Sequence, residues 1–231
     1  MAYFPMFVDL TDKKCIVAGG GNVAARKIAV LVGFGVKVQV VAPEICEELA
    51  DMIRIDPRAE RRVEHSGEEM GSRGLIVWIK RCFEEYDLKD ADLVIAATDD
   101  RDLNHRIAVM AKSRGQQVDS ATDKNDCSFL FPAVVRRGES VVGISSSGSS
   151  PALTAELKRR IEQIIPEDLT EKAEYLEKVR EKVRENVELP GRRRSVMRTI
   201  AASIFEEKDC PSVEKMIDRL LAENVRVEDE G

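Results

Sequence analysis

The sequence predicts an α/β fold: a parallel sheet with helices on its faces, then a short β-rich connector, then a helical C-terminal domain. Three features of the 231 residues predict it. Short apolar runs alternate with segments of helical period through the first half. After Asp123 the character changes, and two β-like runs flank a tight turn. From Pro151 until the tail, only helical patterns rich in Glu, Lys and Arg remain. Strand and helix alternating at this spacing imply crossover connections and therefore parallel pairing. The expected divisions are 1–114, 115–148 and 149–231.

Taken in order, Lys14 to Ala18 is a strand. Val23 to Val32 is a helix with Val23, Ile28, Leu31 and Val32 at helical spacing, closed by Gly33 and Gly35. Val36 to Val41 is a second strand ending at Ala42-Pro43, and Ile45 to Ile53 is a helix. Val63 and Leu75 to Trp78 read as edge strands. Leu93 to Ala97 has almost no polar alternation and is a buried strand. Asp102 to Ser113 is a helix with Leu103, Ile107 and Met110 on one face, and a further strand begins at Gln117. Phe129 to Val135 and Ser140 to Ile144 are β-like around Arg136-Arg137-Gly138, and 145–151 is a serine-rich loop. Helices are expected at 152–165, 171–187, near 195–205 and at 212–223, with a break at Pro190-Gly191.

Composition narrows the function classes. The apolar fraction is 43%, and no run approaches the ~18 residues of a membrane span, so no membrane partner is expected. The N-terminus lacks a basic region and a small-residue cleavage site, and no secretory signal is expected. The five cysteines are odd in number and widely spaced, without a CxxC, which points to reduced cytoplasmic thiols rather than a disulfide framework or a zinc site. Two histidines, His65 and His105, are too few for a multi-histidine centre, and no metal site is expected. A net charge of −6 argues against nucleic acid as a partner, which wants a basic footprint.

The glycines carry the chemistry. Gly19-x-Gly21-x-x-Ala24 follows a strand and opens a helix, the context of a dinucleotide fingerprint in a Rossmann-like sheet. Phosphates would sit on bare backbone N–H groups at the positive end of the helix. Pro43 and Glu44, after the second strand, stand where an adenosine ribose is read. The Glu44 carboxylate can accept from ribose hydroxyls and would repel a 2′-phosphate, which favours NAD over NADP. Thr98 and Asp99 end a further strand at the ligand edge of the sheet. The plainer alternative is a tight βα turn.

Residues 118–133 hold Asp119, Asp123 and Asp126, and should also lie at the ligand edge, where a carboxylate can take a proton. Turn-forming Asp and Asn in a solvated loop would give the same pattern. Ser145 to Ser150 precede a helix, and can cap it or hold an anion. His105 reads as a surface or packing residue, and Cys127 as packing rather than a nucleophile. Arg192 to Arg194 read as a solvated helix edge, although they would suit a polycarboxylate.

Together, MAYFPMFVDLTDKKCIVAGGGNVAARK, VVAPE, DADLVIAATDDRDLNHRIA and CSFLFPAVVRRGESVVGISSSGSSPALTAELKRRIE resemble the precorrin-2 dehydrogenases, the dehydrogenase/ferrochelatase part of sirohaem synthases. The resemblance covers roughly residues 1–165, and the helical tail fits only by length and class. It implies removal of a hydride to NAD⁺ and of a proton from precorrin-2, a reduced tetrapyrrole with eight carboxylates, giving sirohydrochlorin. It also implies Fe²⁺ insertion in some members and a homodimer that exchanges the connector strands. By the resemblance Gly21, Asn22 and Val23 match phosphate-loop contacts, Pro43 and Glu44 adenosine-side contacts, and Thr98 and Asp99 the cofactor edge, while Ser146 falls where some members carry a phosphorylatable serine. The family's important aspartate, six residues before Ser128, is Thr122 here. Asp123 is the preferred substitute and Asp119 the second. Lys124, Arg136 and Arg137 are candidate partners for the substrate's carboxylates. No histidine looks well placed to strip pyrrole N–H protons, which favours dehydrogenation without chelation. An NAD-sensing module without catalysis is the rival from another class.

Overall fold

The computed structural model of the protein describes residues 3–55, 60–62, 76–206 and 215. The expected strand at Val63, the helix at 212–223, and residues His65, Leu75 and Cys210 lie outside them, apart from Lys215. The described chain forms two compact units, Met1–Pro132 with Ser145–Pro151, and Ala133–Ile144 with the segment from Ala152 onward.

The first unit is a six-stranded sheet whose ladders are all parallel. Its strands are β1 (Lys14–Ala18), β2 (Lys37–Val41), β3 (Glu60–Arg62), β4 (Ile76–Ile79), β5 (Leu93–Ala96) and β6 (Gln117–Ser120), in the spatial order β3-β4-β2-β1-β5-β6. The chain runs outward from β1 through β2 and β4, then returns to place β5 on the other flank. The order therefore reverses between β1 and β5, and ligands bind at such a switch point in open α/β sheets. β4 was expected at an edge; it lies inside, because Glu60–Arg62 pairs along it. β6 was expected in the connector; it completes the parallel sheet beside β5.

Two helices cover one face and one the other. On α1 (Asn22–Val32), Ala24, Ala25, Ile28 and Leu31 are buried at helical spacing. With Leu49 and Ile53 of α2 (Glu47–Ile55) they pack on Cys15, Val17, Val38, Val40 and Ile95. On α3 (Arg101–Ser113), Ile107, Ala108 and Ala111 pack on Ile16, Ala18, Val94, Ala96 and Val118. Successive strand residues face opposite sides, which is why β5, and β1 after Lys14, are apolar on both faces. Each such Val or Ile taken out of water contributes about 1.5–3 kcal/mol.

The outer edge of β6 is closed locally. Ser128 Oγ accepts from Val118 N–H at 2.8 Å, Ser128 N–H donates to Val118 O at 2.8 Å, and Cys127 Sγ accepts from Ser120 N–H at 3.2 Å. These bonds satisfy backbone groups that an edge strand otherwise leaves open. Residues 129–132 were expected in a strand. Instead Phe129 and Phe131 are half-buried against the core that α1 covers, and the strand β7 (Ala133–Arg137) starts after Pro132.

The second unit contains the antiparallel hairpin of β7 and β8 (Ser140–Ile144) and the helices α4 (Pro151–Ile164), α5 (Leu169–Asn186) and α6 (Pro190–Glu206). Gly138 makes the hairpin turn at φ +56°, and a Cβ there would lie 2.5 Å from Thr170 Oγ1. Pro190, read as a break, is the first residue of α6, a position that needs no N–H donor. Tyr175, Val179 and Val183 of α5 pack on Val196, Ile200 and Ile204 of α6. Arg193 donates to the carbonyls of Val187 and Arg184 at the end of α5.

Candidate nucleotide-binding and acid–base site

The glycine run divides its labour. Gly19 has φ +109°, and a Cβ there would lie 2.2 Å from Ala97 O. A Cβ on Gly20 would lie 2.3 Å from Glu44 O. Both are buried, and Cys46 N–H donates to Gly20 O at 2.8 Å. These two glycines let the ends of β1, β2 and β5 close on each other. Gly21 differs: it is exposed, and a Cβ there would meet nothing within 4 Å. It stands at the N-cap of α1 with no side-chain cap, so the first-turn N–H groups of α1 face open space beside Asn22 and Val23, both exposed. This is a bare-backbone anion cradle at a positive helix end, and it fits a diphosphate.

Two further segments follow strand ends of the same sheet. Pro43 and Glu44 are exposed after β2. After β5, Thr98 is held by Asn104 of α3. Asn104 Oδ1 accepts from Thr98 N–H at 3.0 Å and from its hydroxyl at 2.8 Å, and Asn104 Nδ2 donates to Thr98 O at 2.9 Å. Asn104 is fully buried, and sequence reasoning passed over it; an amide three residues into an amphipathic helix gives no signal of its target. Asp99 is exposed beside it, and Asp100 caps α3 by accepting from Asp102 N–H and Leu103 N–H.

Next to this edge an open hollow of about 360 Å³ is lined by Arg101, Asp102, His105, Thr122, Asp123 and Asp126. His105, read as a surface residue, is one of its walls. Its Nδ1 lies 2.8 Å from Oδ1 of Asp126, a residue only 7% exposed. The pairing spans 21 positions, which is why nearness in sequence did not reveal it. Asp123 is exposed on the rim and accepts from Asn125 N–H at 2.8 Å. Asp119 points elsewhere: its carboxylate is buried on the α1 face of β6, 2.7 Å from Lys27 Nζ, whose ammonium also stands over the Phe131 ring.

The remaining candidates are dispersed. Lys124 is exposed in the turn that carries Asp126. Arg136 and Arg137 belong to the hairpin, bonding Gly138 O and Arg136 O respectively. Ser146 folds into its own loop, donating to Ser150 O and accepting from Ser150 N–H. Burial raises the Cys127 thiol above its usual range, so it is no ready nucleophile. Among the described residues no group of side chains could hold a metal ion, and no helix is long and apolar enough to cross a membrane.

A family model described as "Putative NAD(P)-binding" matches residues 6–133, which span this sheet and its glycine turn. The chain belongs to that NAD(P)-binding family. It is 37% identical over 207 residues to a siroheme synthase of Nitrosospira multiformis, covering 90% of this chain and 41% of that protein. It is 35% identical over 195 residues to a siroheme synthase of Photorhabdus laumondii, covering 84% and 38%. The chain thus spans about two-fifths of the length of these relatives. Among solved structures it is similar in fold to SirC, a precorrin-2 dehydrogenase, with a TM-score of 0.67, 20% identity, and 95% and 100% of the two chains covered.

Proposed function

We propose that this chain is an NAD-dependent dehydrogenase that converts precorrin-2 to sirohydrochlorin in sirohaem biosynthesis. The observation that carries the reading is the open backbone at Gly21, in a family member whose relatives are siroheme synthases. Bound NAD⁺ would supply the hydride acceptor. The chain's own part is to hold and orient. The amides of Gly21, Asn22 and Val23 would bind the diphosphate, with Gly19 keeping the turn tight. Pro43 and Glu44 would meet the adenosine, the Glu44 carboxylate preferring NAD to NADP. Thr98 and Asp99 would line the nicotinamide side. Lys124, Arg136, Arg137 and Ser146 are the proposed partners of substrate carboxylates, and Asp123, with Asp119 as the second choice, is the proposed site carboxylate.

A homodimer in the cytoplasm is part of the proposal. None of α4 is buried, while Leu153, Leu157 and Ile164 are exposed along it, a stripe suited to a second copy. The test is incubation of the protein with precorrin-2 and NAD⁺. The expected outcome is the visible spectrum of sirohydrochlorin with stoichiometric NADH. NAD⁺ binding without turnover would favour a sensing module instead.

One observation favours a second reading. His105 stands at the hollow, where it would serve as a base for pyrrole N–H protons, and the same chain would then also insert Fe²⁺ into sirohydrochlorin. Enzyme-dependent appearance of the sirohaem spectrum on adding Fe²⁺ would support it.

A further inference from the structure

We propose that His105, oriented by Asp126, is the general base that takes up the proton released in the dehydrogenation. The inference rests on the reaction proposed above. The geometry at the hollow carries it. His105 Nδ1 lies 2.8 Å from a carboxylate that is itself almost fully buried, whereas the imidazole is 63% exposed and its Nε2 has no partner among the described residues. A carboxylate accepting from Nδ1–H fixes the tautomer and leaves the lone pair on Nε2, directed away from Asp126.

Two other carboxylates of the region are held differently. The Asp119 carboxylate is beside Lys27, and the Asp123 carboxylate accepts a backbone N–H within its own turn. Thr122 contributes a hydroxyl, which shares a hydrogen with Ser120 Oγ. Imidazole is also the side chain whose ordinary titration lies nearest neutrality. The residue before His105 in sequence, Asn104, clamps Thr98, so one helical turn of α3 sets both the cofactor edge and the base.

The step balances. One C–H bond of the substrate breaks, its electron pair leaving with the hydrogen as hydride, and NAD⁺ is reduced to NADH. A second hydrogen leaves as a proton, its electron pair remaining on the macrocycle in the new double bond. The Nε2 lone pair binds that proton, and the imidazolium returns it to water through the open side of the hollow. The charged groups that line the hollow with the imidazole are Arg101 and Asp102 from α3, and Asp123 and Asp126 from the turn beyond β6.

The experiment compares wild-type protein with His105→Gln, Asp126→Asn and a His65→Gln control. With precorrin-2 and NAD⁺, H105Q should lose about 10²-fold or more in kcat, with NAD⁺ affinity by calorimetry unchanged. The acid limb of the kcat/KM profile should vanish in H105Q, and H65Q should behave as wild type. Independently of activity, ¹H–¹⁵N spectra should show neutral His105 protonated on Nδ1, and D126N should abolish that preference. Wild-type turnover with H105Q within threefold and an unchanged pH profile would overturn the role of His105 alone, as would a proton found on Nε2. Wild-type protein that binds NAD⁺ but leaves precorrin-2 unoxidised would remove the proposed reaction, and this role with it.

Discussion

Three consecutive glycines do two different jobs, and the difference is measurable. Gly19→Ala forces a Cβ to 2.2 Å from Ala97 O at a φ of +109°. The neighbour is backbone and cannot step aside. We expect a loss of stability on the order of 3 kcal/mol, seen as a lowered denaturant midpoint. Gly21→Ala puts its methyl in open space at an ordinary φ of −81°. It should cost at most about 1 kcal/mol as a poorer cap, yet weaken NAD⁺ binding by calorimetry because the methyl occupies the ligand's approach. Asp119 makes the opposite point. Asp119→Asn leaves Lys27 charged where only 18% of its side chain sees solvent, and should cost about 3 kcal/mol. If Asp119 serves the fold, NAD⁺ affinity measured well below the melting temperature will be retained in D119N. A catalytic carboxylate would instead show full stability with turnover lost.

At the level of elements, the sequence announced what local chemistry dictates. Apolar runs marked β5 and, after Lys14, β1, and glycines ended α1. Hidden were the pairings made across the sheet. Nothing local told Phe129 and Phe131 to enter the core rather than extend β7, or paired His105 with Asp126. Such contacts depend on which strands become neighbours, and the order β2-β1-β5-β6 is a property of the assembled sheet. Sequence pattern also left α4 without a clear role, and its charges show what stabilises it locally. Arg159 and Arg160 both donate to Glu156, and these bonds hold its carboxyl at about 2, below the ordinary 4.5. A depressed carboxylate contributes stability above its unfolded value. That contribution should fade as pH falls from 4.5 towards 2. Carboxyl ¹³C titration should find Glu156 still ionised at pH 3, and high salt should raise its midpoint, since these three charges lie at the surface.

For the whole molecule, the decisive question is what covers the apolar stripe of α4. If it is a second copy, light scattering will give twice the 231-residue mass, and Leu157→Glu will shift the protein toward monomer without disturbing NAD⁺ binding. A wild-type monomer would refute the dimer while leaving the first unit's chemistry intact.

The bond from Cys46 N–H to Gly20 O ties the phosphate turn to the segment that follows β2, so Gly21 and Glu44 belong to one stiff block. A nucleotide bridging them would find both footholds already spaced. Its capture should then follow single-phase kinetics that stay proportional to concentration, with no plateau from a slow rearrangement, and amide exchange in this block should be nearly as slow in the empty protein as in the loaded one.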